Sequence, residues 1–322
     1  MTATPSTSPS GLRIVLAEPR GFCAGVDRAI AIVKKALERY GPPIYVRHEI
    51  VHNRYVVDEL KRLGAVFVKE LDQIPAGGHT VFSAHGVADI IEDEAKRRGL
   101  PYIDAACPLV TKIHRQGQNH ADKGREVILI GHAGHPEVEG TLGRIKGKTH
   151  LVGNVDDVKN LNVGAPDHLS YITQTTLSVD DTRDIITALQ KRFPSILGPA
   201  LKDICYATQN RQQAVHDLVK SHKIEMLLVI GGKNSSNSNR LREIGSDYNI
   251  PSYLIDDENA FDKAWLKGVQ IIGITAGASA PEILVQGLMD RLSALRTIEV
   301  SVLSGIEENM HFNLPKELRA AP

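Results

Sequence analysis

Three stretches of the chain follow the same order of strand, polar loop, helix and strand, and this repetition strongly constrains the fold. They span residues 44–68, 126–152 and 226–255. A further strand that ends in small polar residues follows each stretch, at 80–86, 170–176 and 270–279. Strands that alternate with helices predict parallel sheets. A period near 90 residues is too long for a solenoid repeat and predicts three similar α/β domains.

The repeats predict how the chain divides into domains. We expect a disordered tail at 1–10, α/β domains at 11–106, 107–204 and 205–297, and a C-terminal strand and tail at 298–322. The first strand, with Cys23 at its end, is a candidate to pack with the third domain. The predicted fold class is α/β, with three small, mainly parallel domains arranged pseudo-threefold around a central cavity.

The chain has three cysteines, Cys23, Cys107 and Cys205, and each stands where an apolar run gives way to a helical pattern. Their separations of 84 and 98 residues follow the repeat. Ligands of open parallel sheets bind beyond the carboxyl ends of the strands, so we expect the three thiols to meet in one cavity. A single cysteine is usually a small core residue, but three in equivalent places favour a shared site.

Composition narrows the classes of protein that the chain can belong to. Lys+Arg and Asp+Glu both number 38, which gives no indication of a nucleic-acid partner. The apolar runs are too short to span a bilayer, and residues 1–10 lack the features of a signal peptide. We therefore expect a cytoplasmic protein with no membrane partner. An odd number of cysteines in that compartment argues against a disulfide framework.

Three thiols without a C-x-x-C spacing are compatible with two kinds of metal site. Zinc accepts three cysteines and one histidine, with His52, His85 or His135 as the fourth ligand. A 4Fe–4S cluster accepts three thiolates and leaves its fourth iron open for a substrate. The helix N-termini at Cys107 and Cys205 are expected to lower the pKa of those thiols and favour the thiolate.

Polar loops suggest an anionic ligand. The run at 235–239 is predicted to precede a helix that begins at Arg240, an arrangement that favours phosphate binding. Ser279 is either a helix cap or a second anion contact. With His52 and His85, these residues favour a phosphate or diphosphate group. No Walker A or G-x-G-x-x-G motif occurs, so a nucleotide is not indicated.

A carboxylate lies close in sequence to one of the candidate histidines. Glu137 follows His135 by two residues, in what is predicted to be the same loop. A carboxyl group beside an imidazole in a partly closed site is a good general acid. Glu139 is the competing candidate, and we expect it to be a solvated residue in the first turn of a helix.

Nine motifs together resemble the 4-hydroxy-3-methylbut-2-enyl diphosphate reductase family, also called LytB or IspH. They are GFCAGVDRAI, VHNRYVV, SAHGV, ACPLVTK, GHAGHPEVEGT, TQTTLSVDDT, ICYATQNRQ, NSSNSNRL and TAGASAPE. The resemblance runs from about Arg13 to beyond Ser279 and keeps the family order. It implies reductive dehydroxylation of the (E)-4-hydroxy-3-methylbut-2-enyl diphosphate substrate to isopentenyl and dimethylallyl diphosphate, the last step of the non-mevalonate isoprenoid pathway.

The resemblance also implies roles for individual residues. Cys23, Cys107 and Cys205 would ligate one 4Fe–4S cluster with an open iron, and Glu137 would donate a proton. Thr175 would join the hydrogen-bond network at the substrate hydroxyl, and Thr208 is a candidate neighbour. The expected diphosphate shell is His52, His85, His135, Ser235, Ser236, Asn237 and Ser279.

Electrons are expected from outside the chain, because no flavin or nicotinamide site is apparent in the sequence. A ferredoxin or a flavodoxin would be a suitable donor. Two functions of other classes stay open at this stage: a zinc-dependent hydrolase of a phosphorylated metabolite, and a non-catalytic iron–sulfur sensor.

Overall fold

The computed structural model describes residues 11–199 and 201–319. The predicted tail at 1–10 therefore lies outside the described residues. The strands are β1 (Leu12–Leu16), β2 (Ile44–Arg47), β3 (Ala65–Val68), β4 (Thr80–Phe82), β5 (Tyr102–Asp104), β6 (Glu126–Ile130), β7 (Thr149–Val152), β8 (Leu169–Thr173), β9 (Met226–Ile230), β10 (Ser252–Ile255), β11 (Ile271–Ala276) and β12 (Ile298–Val302). The helices are α1 (Ala24–Tyr40), α2 (Arg54–Arg62), α3 (Asp89–Arg97), α4 (Pro108–Ala121), α5 (Pro136–Leu142), α6 (Val155–Asn160), α7 (Val179–Arg192), α8 (Tyr206–His222), α9 (Ser236–Asp247) and α10 (Glu282–Ser293).

The strands form three small sheets, and every pairing between the described strands is parallel. Their orders are β10-β9-β11-β1-β12, β3-β2-β4-β5 and β7-β6-β8. Each predicted stretch of strand, loop, helix and strand is present, as β2-α2-β3, β6-α5-β7 and β9-α9-β10. The predicted α/β class with small parallel sheets is confirmed. β1 lies between β11 and β12, two strands that come from the other end of the chain.

The chain divides into two compact units. The first contains the residues up to Phe22 and Asn210–Asn309, and the second contains Cys23–Gln209 and the residues from Met310 onward. The five-stranded sheet lies in the first unit, and the four- and three-stranded sheets lie in the second. The finer division into three domains stays a prediction.

Helices cover both faces of the sheet in the first unit. Met226, Leu228 and Ile230 of β9 pack in the core beneath α10. Leu227 and Val229 point to the opposite face and pack against α8 and α9. Because helices cover both faces, every residue of this strand is buried, which explains its uninterrupted apolar sequence.

The three-stranded sheet of the second unit follows the same rule. Ile128 and Ile130 of β6 pack in the core that includes α7. Val127 and Leu129 pack on the other face against residues of α4 and α5. The sheets thus hold the carboxyl ends of their strands in fixed positions, and the polar loops begin at those ends. None of the helices in the described residues is long and apolar enough to span a membrane.

Candidate functional site

Each cysteine stands immediately before a helix of the fold. Cys23 is the N-cap of α1 and Cys107 the N-cap of α4, while Cys205 directly precedes α8. The amide of Cys107 donates to the Ala84 carbonyl at 2.9 Å, and the amide of Cys205 donates to the Thr175 carbonyl at 3.0 Å. Both acceptors follow the end of a strand, so the backbone of each cysteine is tied to a sheet edge.

Two of the thiols lie beside Gly25, in the first turn of α1. A Cβ placed on Gly25 would lie 2.7 Å from Cys107 Sγ and 3.8 Å from Cys23 Sγ. Charges on Cys23 and Cys205 both oppose ionisation of Cys107, so the third thiol is also nearby. The structure therefore brings the three predicted thiols together. Sequence reasoning missed Gly25, although a residue without a side chain two positions after a cysteine was a readable signal of close approach.

Two of the thiols, those of Cys107 and Cys205, are difficult to ionise in the protein alone. Burial raises the pKa of Cys107 to about 12, and the charges of Cys23 and Cys205 add to that rise. Burial likewise raises the pKa of Cys205 to about 11, although the Thr208 hydroxyl lies 3.2 Å from its sulfur and favours the thiolate. The amides at the start of α4 and α8 do lower these pKa values, as expected of helix N-termini, but burial outweighs them, so the expected net fall in pKa is wrong. Thiolates at this site therefore require a cationic group that displaces the protons.

A buried carboxyl group lies in the same unit as the cysteines. Glu137 is 3% exposed and sits in the first turn of α5, not in a loop as predicted, with His135 as the N-cap. The Thr175 amide donates to Glu137 Oε1 at 2.7 Å, and the Thr175 hydroxyl donates to Oε2 at 2.9 Å. Burial raises the pKa of Glu137 to about 7, against the opposing effect of the two Thr175 bonds. Glu139, on the same helix, is exposed as expected.

Three imidazole rings form a cluster in this unit. The rings of His52 and His85 stack with centroids 4.2 Å apart, and the His135 ring meets them edge-on at 5.5 and 5.7 Å. His135 Nδ1 accepts the amide of Glu137 at 3.1 Å, which leaves the proton on Nε2. Burial lowers the pKa of His135 to about 4 and also lowers that of His85, helped by the neighbouring rings. His85 and His135 are therefore neutral N–H donors at pH 7.

The donor groups do not form a single-metal site. Within residues 11–199 and 201–319, no three His, Cys, Asp or Glu side chains are grouped so that they hold one metal ion. The Cys₃His zinc site that the sequence left open stays a prediction, which the metal content of the protein tests.

A second group of predicted residues lies in the first unit, at the start of α9. Ser235 is the N-cap, and its Oγ accepts the amide of Ser238 at 3.3 Å and the Ser238 hydroxyl at 3.0 Å. Ser236 and Asn237 lie in the first turn, so the prediction that the helix begins at Arg240 is wrong. The helix begins earlier because Ser235 caps it.

The Asn237 amide is the clearest sign of a ligand in this group. Its side chain is 3% exposed, and neither its oxygen nor its nitrogen has a partner among the described residues. Buried amides are rarely left in this state, because an unsatisfied polar group costs about 1–3 kcal/mol. A Cβ at Gly277 would lie 2.0 Å from Ser238 Oγ and 3.4 Å from Asn237 Nδ2, so the loop after β11 packs directly on this turn.

Ser279 belongs to the same loop after β11. It is buried and lies three residues before α10, whose N-cap is Pro281. Ser279 is therefore not a helix cap, and its interpretation as an anion contact stays a prediction.

The predicted site residues divide between the two units. The cysteines, histidines, Glu137 and Thr175 lie in the second unit, and the Ser and Asn residues lie in the first. That one cavity takes both groups also stays a prediction.

Clustered cysteines, a buried carboxyl group of raised pKa and a cluster of histidines, held in one unit of an α/β protein, define a class: an enzyme. The chain belongs to the LytB family, whose model, described as LytB protein, matches residues 14–293.

Relatives with assigned names are closely similar over nearly the whole chain. The 4-hydroxy-3-methylbut-2-enyl diphosphate reductase 1 of Rhodopseudomonas palustris is 60% identical, over 95% of this chain and 99% of the relative. The reductase of the same name from Zymomonas mobilis is 58% identical, over 96% of this chain and 90% of the relative. The solved structure of E-1-hydroxy-2-methyl-but-2-enyl-4-diphosphate reductase from Plasmodium falciparum superimposes with a TM-score of 0.90 at 38% identity, covering 96% of this chain and 97% of the other.

Proposed function

We propose that this protein is a 4-hydroxy-3-methylbut-2-enyl diphosphate reductase, the terminal enzyme of the non-mevalonate pathway. The substrate takes up two electrons and two protons, loses its hydroxyl group as water, and gives isopentenyl or dimethylallyl diphosphate. One C–O bond breaks and one C–H bond forms. The observation that carries the proposal is the clustering of the three cysteines, two of them with their sulfurs beside Gly25, in the same unit as a protonatable Glu137. The names of relatives up to 60% identical support it.

The cofactor that fits the thiols is a 4Fe–4S cluster held by Cys23, Cys107 and Cys205. Three observations support this fit: the donor set is thiol only, Gly25 leaves room between two sulfurs, and the raised pKa values call for a cationic partner. When bound, such a cluster would supply electrons one at a time and would offer an open iron as a Lewis acid. The Thr208 hydroxyl would hydrogen-bond to the Cys205 thiolate.

Glu137 would supply the proton to the leaving hydroxyl group. Its pKa of about 7 leaves about half of the molecules protonated at neutral pH, where a general acid is most effective. Protonation lets water leave in place of hydroxide, an effect typically worth about 10² to 10⁴ in rate. Thr175 would fix the carboxyl group through its amide and hydroxyl, and so hold the acid in one orientation.

The diphosphate would be held by hydrogen-bond donors. In the first unit these are the Asn237 amide, Ser235 or Ser236 at the start of α9, and Ser279 of the adjacent loop. The positive end of the helix dipole would add to their attraction for an anion. In the second unit they are the imidazole N–H groups of His52, His85 and His135. Donors of this kind bind a diphosphate through hydrogen bonds that need no charged side chain.

An acidic redox protein such as ferredoxin or flavodoxin would deliver the electrons. A cavity of about 450 Å³ runs along one face of α4 and begins at Pro108, the residue after Cys107. Its lining residues include three cationic side chains and no carboxylate: Pro108, Lys112, Arg115, Gln116, Asn119, His120 and Lys123. A basic groove that starts beside a cofactor ligand suits an acidic partner, because complementary charge speeds association.

Two matched reductants test the groove. The double variant Arg115→Glu and Lys123→Glu should raise KM for an acidic ferredoxin at least tenfold, with an effect that weakens as salt is added. With a small chemical reductant its rate should stay within threefold of the wild type. Lys159→Glu, an exposed lysine on α6, is the control. Equal losses with both reductants would show that the groove is not the docking surface.

Anaerobic purification tests the cofactor and the function together. The brown colour of an iron–sulfur cluster, with about four irons per chain after reconstitution, should accompany turnover of the diphosphate substrate. Changing any one cysteine to Ser should abolish or severely weaken iron binding. A colourless protein with one zinc would refute the cluster and favour the hydrolase. We further propose a cytoplasmic location, because three reduced thiols need a reducing compartment; cell fractionation tests it.

A further inference from the structure

One basic residue follows each cysteine at nearly the same distance and contacts the backbone that precedes another cysteine. The three anchor cations are Arg28, Lys112 and Arg211, which follow Cys23, Cys107 and Cys205 by five, five and six residues. Each lies on the helix that its own cysteine precedes. Each contacts the residues before the next cysteine in a cyclic order.

Arg28 of α1 holds the approach to Cys107. Its Nη1 donates to the Ala106 carbonyl at 3.0 Å and to the Ala105 carbonyl at 3.4 Å. These two buried alanines immediately precede Cys107. A planar guanidinium group that binds two successive carbonyls fixes the direction of the chain where it enters α4, since hydrogen bonds from charged donors are the stronger kind.

Lys112 of α4 holds the approach to Cys205. Its Nζ lies 3.4 Å from the Lys202 carbonyl and 3.6 Å from Asp203 Oδ1. Asp203 is 2% exposed, so a nearby cation stabilises its charge. Gln116, one turn further along α4, donates to Asp203 Oδ2 at 3.2 Å. The contacts of Lys112 are the longest of the three sets.

Arg211 of α8 holds the approach to Cys23, and it is completely buried. Its Nε and Nη2 donate to the Gly21 carbonyl at 3.0 and 2.8 Å, and Nη2 also donates to the Phe22 carbonyl at 3.1 Å. Its Nη1 donates to Glu308 Oε1 at 3.1 Å, so a carboxylate neutralises the buried charge. The segment ahead of Cys23 is thus fixed by a paired arginine.

We propose that the anchor cations are positioning residues that set the spacing of the three thiols. The helix that follows one cysteine fixes the chain that leads to another: Cys23 to Cys107, Cys107 to Cys205, and Cys205 to Cys23. The purpose of that spacing rests on the proposed function, in which the thiols hold one cofactor. The thiols are then placed before the cofactor binds, as a precise site requires. Loss of one anchor cation loosens one thiol. That thiol belongs to the cysteine whose approach the cation contacts, and not to the cysteine that precedes the cation's own helix.

Alkylation of the cluster-free protein tests this order. With Arg28→Gln, iodoacetamide followed by mass spectrometry should report that Cys107 reacts about tenfold faster, equivalent to about 1.4 kcal/mol of lost local stability. Cys23 and Cys205 should react within twofold of the wild-type rate. Loss of the positive charge alone would slow the reaction of Cys107, because its thiolate would form less readily. A faster reaction therefore reports a looser chain.

The other variants complete the pattern. Lys112→Gln should speed the reaction of Cys205, and Arg211→Lys, a milder change at a buried site, should speed that of Cys23. Arg98→Gln is the matched control, because Arg98 also donates to two carbonyls, those of Leu71 and Ile74, and should leave all three cysteines unchanged. Arg28→Lys should restore most of the wild-type rate. If thermal unfolding shows that Arg28→Gln does not fold, Lys112→Gln, a change at an exposed residue, carries the test with Cys205 as the accelerated thiol.

Two results would overturn the proposal. One is that Arg28→Gln speeds Cys23, on its own helix, as much as Cys107; the other is equal acceleration of all three cysteines. Iron binding separates this inference from the proposed function. The predicted alkylation pattern in a protein that never binds iron would leave the positioning role intact and refute the cofactor. Normal iron binding with unchanged Cys107 reactivity would refute the positioning role alone.

Discussion

Replacing Glu137 with glutamine should remove the acid proton and preserve the shape of the site. The Thr175 amide and hydroxyl donate to the two carboxyl oxygens at 2.7 and 2.9 Å. A glutamine oxygen can accept the first bond, and its amide can donate to the hydroxyl oxygen in place of the second. With a pKa of about 7, about half of the wild-type molecules carry the proton at pH 7. We therefore expect kcat to fall about 10² to 10⁴-fold, the typical contribution of a general acid.

Anaerobic turnover with a chemical reductant measures this loss without the protein donor. Iron content and visible absorbance should match the wild type, which separates lost acid catalysis from a lost cofactor. Glu139→Gln is the control, since Glu139 is exposed on the same helix, and its rate should stay within twofold of the wild type. A Glu137→Gln enzyme that keeps its iron and more than a third of its rate would refute the role of Glu137.

The same variant should change how stability depends on pH. The pKa of Glu137 rises from its ordinary 4.5 to about 7 on folding, so its contribution to stability is complete below pH 4.5 and is lost as pH rises through 7. That rise corresponds to about 3 kcal/mol. In cluster-free protein, Glu137→Gln should gain stability over the wild type, by up to about 3 kcal/mol, between pH 4.5 and pH 8. Urea unfolding of both proteins at pH 4.5 and at pH 8 measures this gain. The same difference in free energy of unfolding at the two pH values would contradict the prediction.

Three further variants test neighbouring features of the site. Gly25→Ala should fold but bind less than half of the wild-type iron on reconstitution, because its Cβ would lie 2.7 Å from Cys107 Sγ; normal iron content would contradict this. Asn237→Ala should have a free energy of unfolding within about 1 kcal/mol of the wild type, since the Asn237 amide has no partner among the described residues. The same variant should raise KM for the diphosphate substrate at least tenfold, and an unchanged KM would remove Asn237 from the diphosphate site. Thr175→Val should move the alkaline limb of the kcat profile to higher pH, because the lost hydroxyl bond had lowered the pKa of Glu137; a fixed limb would count against that bond.

The framework of the fold was readable from hydrophobic pattern. Residues 226–230 form an uninterrupted apolar run, and that run is the strand β9 with helices on both faces. The order strand, loop, helix, strand at 44–68, 126–152 and 226–255 was likewise predicted and is present. These elements were predictable because each depends on local sequence and on burial of its own apolar face.

The details of the site were less readable, because they depend on groups far apart in sequence. The start of α9 was placed too late, since a run of serines and asparagines resembles a loop until Ser235 caps it and Ser238 bonds back. The direction of the pKa shift at Cys107 was also wrong. Sequence shows the helix that follows the thiol, but not the burial and the other thiols that outweigh it.

Burial governs the titration of three groups in the unit that contains the cysteines. Burial raises the pKa of Cys107 to about 12 and of Glu137 to about 7, and it lowers that of His135 to about 4. Each shift favours the neutral form, so at pH 7 Cys107 and His135 carry little charge and Glu137 is at its midpoint. Charge must then arrive with the ligands: a metal group would release thiol protons as it binds, and a diphosphate would draw protons toward the imidazoles. Glu137, alone among these three groups, titrates near neutral pH without a ligand, and this is why the proton of the reaction is best assigned to it.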